Sequence, residues 1–159
     1  MNGGASSPER GANGAARGRA GSTVLIVDDH PLGRRLIARV LEAAGFDTVE
    51  AGSLEEAAGA LSRMVAAAIV LDLNLPDGDG LDLARRCRAD RSTMRCAIIA
   101  CSASDRGGER DAAIGAGADA YVVKPIDTRR FAGLVAELVA RRRAGDRCDR
   151  PLLDPCAPA

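Results

Sequence analysis

Short apolar runs alternate with segments of helical periodicity along most of this chain, and that alternation limits the possible folds more than any other feature. The first run, Thr23-Val24-Leu25-Ile26-Val27, is continuous and rich in β-branched residues, as in a strand covered on both faces. Residues 46–51, 67–71, 97–101 and 120–123 are expected to form four more strands. After the first strand, Pro31 suits the opening turn of a helix, Leu32, Leu36, Ile37, Val40 and Leu41 recur at helical spacing, and Gly45 ends the run. Ser53 is expected to cap a helix over 53–64, with Glu56 completing a capping box. Further helices are expected over 80–89 and 105–116, the latter weakened by Gly107 and Gly108 if they are internal. Asp127 can cap a last helix with an apolar face of Phe131, Leu134, Val135, Leu138 and Val139. Strands separated by helices require right-handed crossovers, so the reading is an α/β doubly wound parallel sheet with helices on both faces.

The foldable stretch is residues 23–142. Residues 1–22 are Gly, Ala, Ser and Arg without periodic apolar positions, and 143–159 turn polar and Pro-rich. Both are expected to be disordered tails, because they have too little apolar surface to offset the entropy of ordering. Acidic and basic residues balance at 22 each, so no global field draws the chain to nucleic acid or a membrane. No run approaches the roughly 20 apolar residues of a membrane span, and residues 1–20 lack a signal-like apolar core. Cys87, Cys96, Cys101, Cys148 and Cys156 form no C-x-x-C pair and are expected to be free thiols in the core or tail, which points to the cytoplasm. Arg141-Arg142-Arg143 is expected to be a solvated helix end.

In open α/β sheets, ligands bind beyond the carboxyl ends of the strands. Asp28 and Asp29 follow the first strand, Asp72 the third, Ser102 the fourth and Lys124 the fifth, so these groups should converge on one rim. Taken alone, Asp28-Asp29 reads best as a solvated strand end. Joined by Asp72, the acids repel one another and favour a compensating cation. Oxygen donors without Cys or paired His suit Mg²⁺, with Asp28, Asp29, Asp72 and a main-chain carbonyl near Asn74 as the protein half of its shell. One carboxylate could then attack phosphorus, while the Lys124 ammonium and the Ser102 hydroxyl take phosphate oxygens.

Four stretches resemble the response regulator receiver domain family: Val27-Asp28-Asp29-His30-Pro31, Leu71-Asp72-Leu73-Asn74-Leu75-Pro76-Asp77-Gly78-Asp79-Gly80, Ile98-Ile99-Ala100-Cys101-Ser102-Ala103, and Gly117-Ala118-Asp119-Ala120-Tyr121-Val122-Val123-Lys124-Pro125. The resemblance implies a flavodoxin-like fold of five parallel strands in the order 2-1-3-4-5 with five helices. It implies that Asp72 accepts phosphate and that Asp28, Asp29, Asp72 and the Asn74 carbonyl hold Mg²⁺, with Asp29 the more direct ligand of the acid pair. It makes Lys124 the partner of the phosphate, Ser102 and Tyr121 the switch residues, and Lys124–Pro125 a cis bond. Implied partners are a sensor histidine kinase or histidine phosphotransfer protein and a downstream protein on the face of the fourth helix, fifth strand and fifth helix. Direct contact with nucleic acid is not expected.

A phosphate shuttle or sink in a phosphorelay is an alternative the sequence does not separate from a switch. A magnesium-dependent phosphohydrolase is disfavoured because Asn74 stands where such enzymes place a second acid. His30, between the acid pair and Pro31, reads as a rim residue or helix cap rather than a phosphate carrier.

Overall fold

The computed structural model describes residues 22–145. The expected tails fall largely outside the described residues, as do Cys148 and Cys156. The main strands are β1 (Thr23–Val27), β2 (Asp47–Ala51), β3 (Ala68–Asp72), β6 (Ala97–Ser102) and β7 (Ala120–Val123). They form one parallel sheet in the order β2-β1-β3-β6-β7, which is the expected 2-1-3-4-5 order. Between β3 and the third helix lies a feature not read from the sequence, an antiparallel hairpin of β4 (Asn74–Leu75) and β5 (Gly78–Asp79). The helices are α1 (Pro31–Ala43), α2 (Leu54–Leu61), α3 (Gly80–Ala89), α4 (Gly107–Gly115) and α5 (Thr128–Arg143). Among the described residues, no helix is long and apolar enough to cross a membrane.

Two-sided burial explains the continuous apolar runs. Leu25, Val27, Ile69, Leu71, Ile98 and Tyr121 enter one core layer with Ala57 of α2, Leu83 of α3 and Ala113 of α4. Their strand neighbours Val24, Ile26, Val70, Ile99 and Val122 point the other way, onto Ile37 and Leu41 of α1 and Phe131, Leu134, Val135 and Leu138 of α5. Each such large side chain contributes about 1.5–3 kcal/mol by leaving water.

The helix starts follow local hydrogen-bond demand. His30 Nδ1 accepts from Gly33 N at 3.1 Å, so this histidine caps α1 as expected. Ser53 Oγ accepts from Glu56 N, but Glu56 reaches back to the N–H of Gly52 rather than to that of Ser53. Asp77, in the turn of the hairpin, takes the N–H groups of Leu54 and Glu55 at 2.9 and 3.0 Å. These bonds hold its carboxyl below the usual carboxylate range and tie the hairpin to α2.

Several expectations need correction. Leu32 and Leu36 are 78% and 55% exposed, because the buried stripe of α1 runs through Ile37, Ala38 and Leu41. The second helix ends at Leu61 rather than residue 64. Gly107 and Gly108 open α4 instead of interrupting it, and first-turn N–H groups have no intrahelical partner to lose. Arg142 is not solvated: its Nε and Nη2 donate to Asp119, just before β7. Arg88 of α3 donates to the other oxygen of the same carboxylate at 2.9 Å. Ile98 N also donates to that oxygen at 2.9 Å, so Asp119 joins α3, α5 and strand β6.

Candidate functional site

Leaving β1, the chain crosses to β2 on one side of the sheet, and β3 lies on the other. A crevice opens at the carboxyl ends where the order reverses, and the acids meet there. One ligating oxygen from each of Asp28, Asp29 and Asp72 can be chosen so that all three lie within 4.8 Å of one another. Asp28 and Asp72 are 3% and 7% exposed, whereas Asp29 is open to solvent. The oxygens are aimed by their neighbours. Asp28 Oδ1 accepts from His30 N at 2.8 Å, and Asp72 Oδ1 accepts from Asn74 N at 2.9 Å.

The backbone here leaves little freedom. The chain returns through the hairpin so that a Cβ on Gly80 would sit 2.5 Å from the main-chain oxygen of Asp72, and only glycine allows that approach. Arg34 of α1, which drew no attention in the sequence, donates from Nη1 to the Asp28 carbonyl at 2.6 Å and from Nε to Glu50 at 3.2 Å. It braces the turn that carries the acid pair. Its signal is detectable only once the β2 pairing brings Glu50 alongside.

Lys124 directly follows β7 and is joined to Pro125 by a cis bond, the isomer the resemblance implied. Its Nζ lies 2.9 Å from Asp28 Oδ2 and 3.0 Å from Asp72 Oδ2. Burial alone would lower its pKa, but the hydrogen bonds and charges of Asp28 and Asp72 outweigh that and raise it. We expect Lys124→Met to cost about 1–3 kcal/mol in urea denaturation, between the values for exposed and buried pairs. A raised pKa means that the pairing contributes fully below the unfolded lysine value of 10.5 and is lost as pH climbs through the higher folded value. The gap between wild type and variant should therefore be flat near neutrality and close only in strong alkali. Equal stability at pH 7 would show that the ammonium does not offset the acids.

Ser102 and Tyr121 form a second cluster. Ser102 is fully buried, and its Oγ accepts from Ser104 N at 3.1 Å. Tyr121 is turned inward, its hydroxyl donating to the Ser104 carbonyl at 2.6 Å with Glu109 Oε2 at 3.1 Å. Burial is the main cause that raises its pKa; Ser102 lowers it and Glu109 raises it further. The structure thus brings Asp28, Asp29, Asp72 and Lys124 together, with Asn74 beside them through its main chain. Ser102 and Tyr121 are joined to each other by way of Ser104.

The donor set suits Mg²⁺, which binds hard carboxylate oxygens and keeps several waters. The His30 Nδ1 lone pair is already used for the α1 cap.

The family model described as the response regulator receiver domain matches residues 24–136. The phosphate regulon transcriptional regulatory protein PhoB of Pseudomonas aeruginosa is 33% identical over 126 residues, covering 79% of this chain and 55% of that protein. The probable transcriptional regulatory protein TcrX of Mycobacterium tuberculosis is 33% identical over 122 residues, covering 77% and 48%. The chain thus spans about half the length of these curated relatives. Among solved structures, a CheY-like receiver domain protein of Methanospirillum hungatei superposes with a TM-score of 0.73 at 22% identity, covering 78% of this chain and 98% of its own, a likeness of fold. The receiver domain of the sensor histidine kinase PA1611 of Pseudomonas aeruginosa, with magnesium coordinated in its active-site cleft, gives 0.69 at 27% identity, covering 76% and 99%.

Proposed function

This chain belongs to the response regulator receiver domain family of two-component systems, and on that premise we propose that it is a phosphorylation switch whose acceptor is Asp72. The observation that carries the proposal is the pairing of one lysine with two buried carboxylates at the sheet crevice, beside a third that is exposed. Asp28, Asp29, Asp72 and the Asn74 main-chain carbonyl would hold Mg²⁺. When bound, that ion supplies charge neutralisation for an incoming phosphoryl group.

The remaining work falls to the chain itself. An Asp72 carboxylate oxygen attacks phosphorus, the bond from phosphorus to the donor nitrogen or oxygen breaks in line, and the donor departs. Lys124 Nζ, already 3.0 Å from Asp72, is positioned to follow the new charge onto a phosphate oxygen. Ser102 Oγ would exchange its bond from Ser104 N for a hydrogen bond donated to phosphate. Because Ser104 also anchors the Tyr121 hydroxyl, that exchange would reach the surface of α4, β7 and α5. We place the output there, on a protein partner, with a sensor histidine kinase or histidine phosphotransfer protein as donor. The chain would act in the cytoplasm as a signalling switch that assists its own phosphorylation, not as an enzyme on other substrates. Residues 22–145 would make no direct contact with nucleic acid.

The test is direct. Incubated with acetyl phosphate and Mg²⁺, the chain should gain one phosphoryl group by intact mass, and EDTA should prevent the gain. No gain in either condition would overturn the proposal.

A further inference from the structure

Helices α1, α2, α3 and α5 each open on a side-chain cap, from His30, Ser53, Asp79 and Asp127. Helix α4 does not. Its N-cap residue Arg106 makes no side-chain capping bond, and the two residues that follow, Gly107 and Gly108, are exposed and have no side chain to hold the turn. Ala113 is the one fully buried residue of α4, and Ile114 packs partly against the core, so its apolar anchors lie in the second half. An acid three residues after the N-cap ordinarily turns back to the N-cap N–H. Here that N–H is already engaged, since Arg106 N donates to Ser104 Oγ at 3.3 Å. The Glu109 carboxylate reaches β7 instead, where its Oε2 lies 3.1 Å from the Tyr121 hydroxyl.

We propose that Glu109 is a positioning residue whose bond to Tyr121 holds the first turn of α4 against β7, so that the place of the Tyr121 hydroxyl decides whether that turn is ordered. The phenol has one proton and two acceptors, the Ser104 carbonyl at 2.6 Å and the carboxylate at 3.1 Å. The nearer oxygen is neutral and the farther one belongs to a carboxylate, which forms the stronger bond at equal length, so the proton is shared between them. Little else would hold Glu109. It borders a cavity of about 500 Å³ that is lined by Asn74, Asp79 and Leu81 among others and, among the described residues, by no lysine or arginine.

Ser104 connects this tie to the acid crevice, because its N–H donates to Ser102 Oγ at 3.1 Å. When Ser102 turns to phosphate and releases that N–H, a shift of the Ser104 peptide would move the shared proton between its carbonyl and Glu109. The state of the crevice would then pass into α4, a step that rests on the reading of the chain as a phosphorylation switch. The tie between Glu109 and Tyr121 does not rest on it.

Amide hydrogen exchange of the full chain, followed by NMR without magnesium or a phosphodonor, reads the tie directly. Glu109→Ala should lower the protection of the Arg110 and Asp111 amides about tenfold, the effect of losing a hydrogen bond to a charged group. Tyr121→Phe removes only the hydroxyl and should lower it by a similar factor, and Glu109→Ala/Tyr121→Phe by no more than either alone. Glu109→Gln should keep most of the protection, because its amide oxygen can still accept from the phenol. The amides of β6 serve as the internal reference, and the loss in the first turn of α4 is read relative to them. The proposal is overturned if either single variant leaves that turn as protected as in the wild type, or if the two losses multiply in the double variant. It is also overturned if Glu109→Gln loses as much as Glu109→Ala, as a charge acting on the helix dipole alone would require. Exchange in this buffer is indifferent to whether Asp72 accepts phosphate, so either idea can fail while the other stands.

Discussion

Asp72→Asn is expected to abolish phosphoryl uptake and, in magnesium-free buffer, to melt above the wild-type chain. The first effect follows from chemistry, since an amide oxygen is too weak a nucleophile to displace a donor from phosphorus. The second is a balance of charges. At an effective dielectric constant of about 20, carboxylate oxygens within 4.8 Å of each other repel by about 3.5 kcal/mol or more, so two neighbours cost Asp72 at least about 7 kcal/mol. The Lys124 ammonium at 3.0 Å returns about 5.5 kcal/mol on the same scale. Repulsion exceeds attraction by at least about 1–2 kcal/mol, and solvent around exposed Asp29 trims that margin. Asn at this position can still accept from Asn74 N, and Lys124 keeps its bond to Asp28. Millimolar Mg²⁺ should reverse the order of melting temperatures by stabilising the wild type more. A variant melting at or below wild type without the ion would show that Lys124 already neutralises the site.

That balance shows which parts of the molecule were legible in the sequence. Asp28, Asp72, Ser102 and Lys124 stand at strand ends, and the strands could be read because burial on both faces demands unbroken apolar runs. Where periodicity alone was the guide, the reading was weaker. Leu32 and Leu36 keep helical spacing with Leu41, yet only the stripe through Ile37 and Leu41 faces the sheet. Two apolar stripes on one helix cannot be told apart without knowing where the sheet lies. The hairpin of β4 and β5 was invisible because its two-residue strands are too short to show any period. Arg34, Arg88 and Arg142 looked like ordinary surface arginines in an arginine-rich chain. Their partners Asp28, Glu50 and Asp119 lie on other elements, so only the fold reveals them.

Asp119→Ala should produce the largest loss of stability of any single change considered for this chain. The carboxylate is 1% exposed, and both of its oxygens are engaged: Arg142 holds one, while Arg88 and Ile98 N share the other. Asp119 also gives its own N–H to the Ile98 carbonyl at 2.8 Å, so its main chain and side chain together extend the β6–β7 pairing. Truncation leaves the Ile98 N–H without an acceptor and takes from Arg88 and Arg142, each 18% exposed, the carboxylate they share. Breaking a buried pair by removing one partner costs about 3–5 kcal/mol, a large share of the roughly 5–15 kcal/mol that keeps a domain folded. The urea midpoint should fall accordingly, and the melting temperature by about 10 °C or more. Asp119→Asn should lose less, because its amide oxygen can still accept from one of the three donors. Adding Arg142→Met to Asp119→Ala should cost less than the two single effects combined, since both changes remove the same Asp119–Arg142 pair. A drop below about 1 kcal/mol for Asp119→Ala would show that both arginines reach water when released, and that the junction of α3, β7 and α5 is held by apolar packing alone.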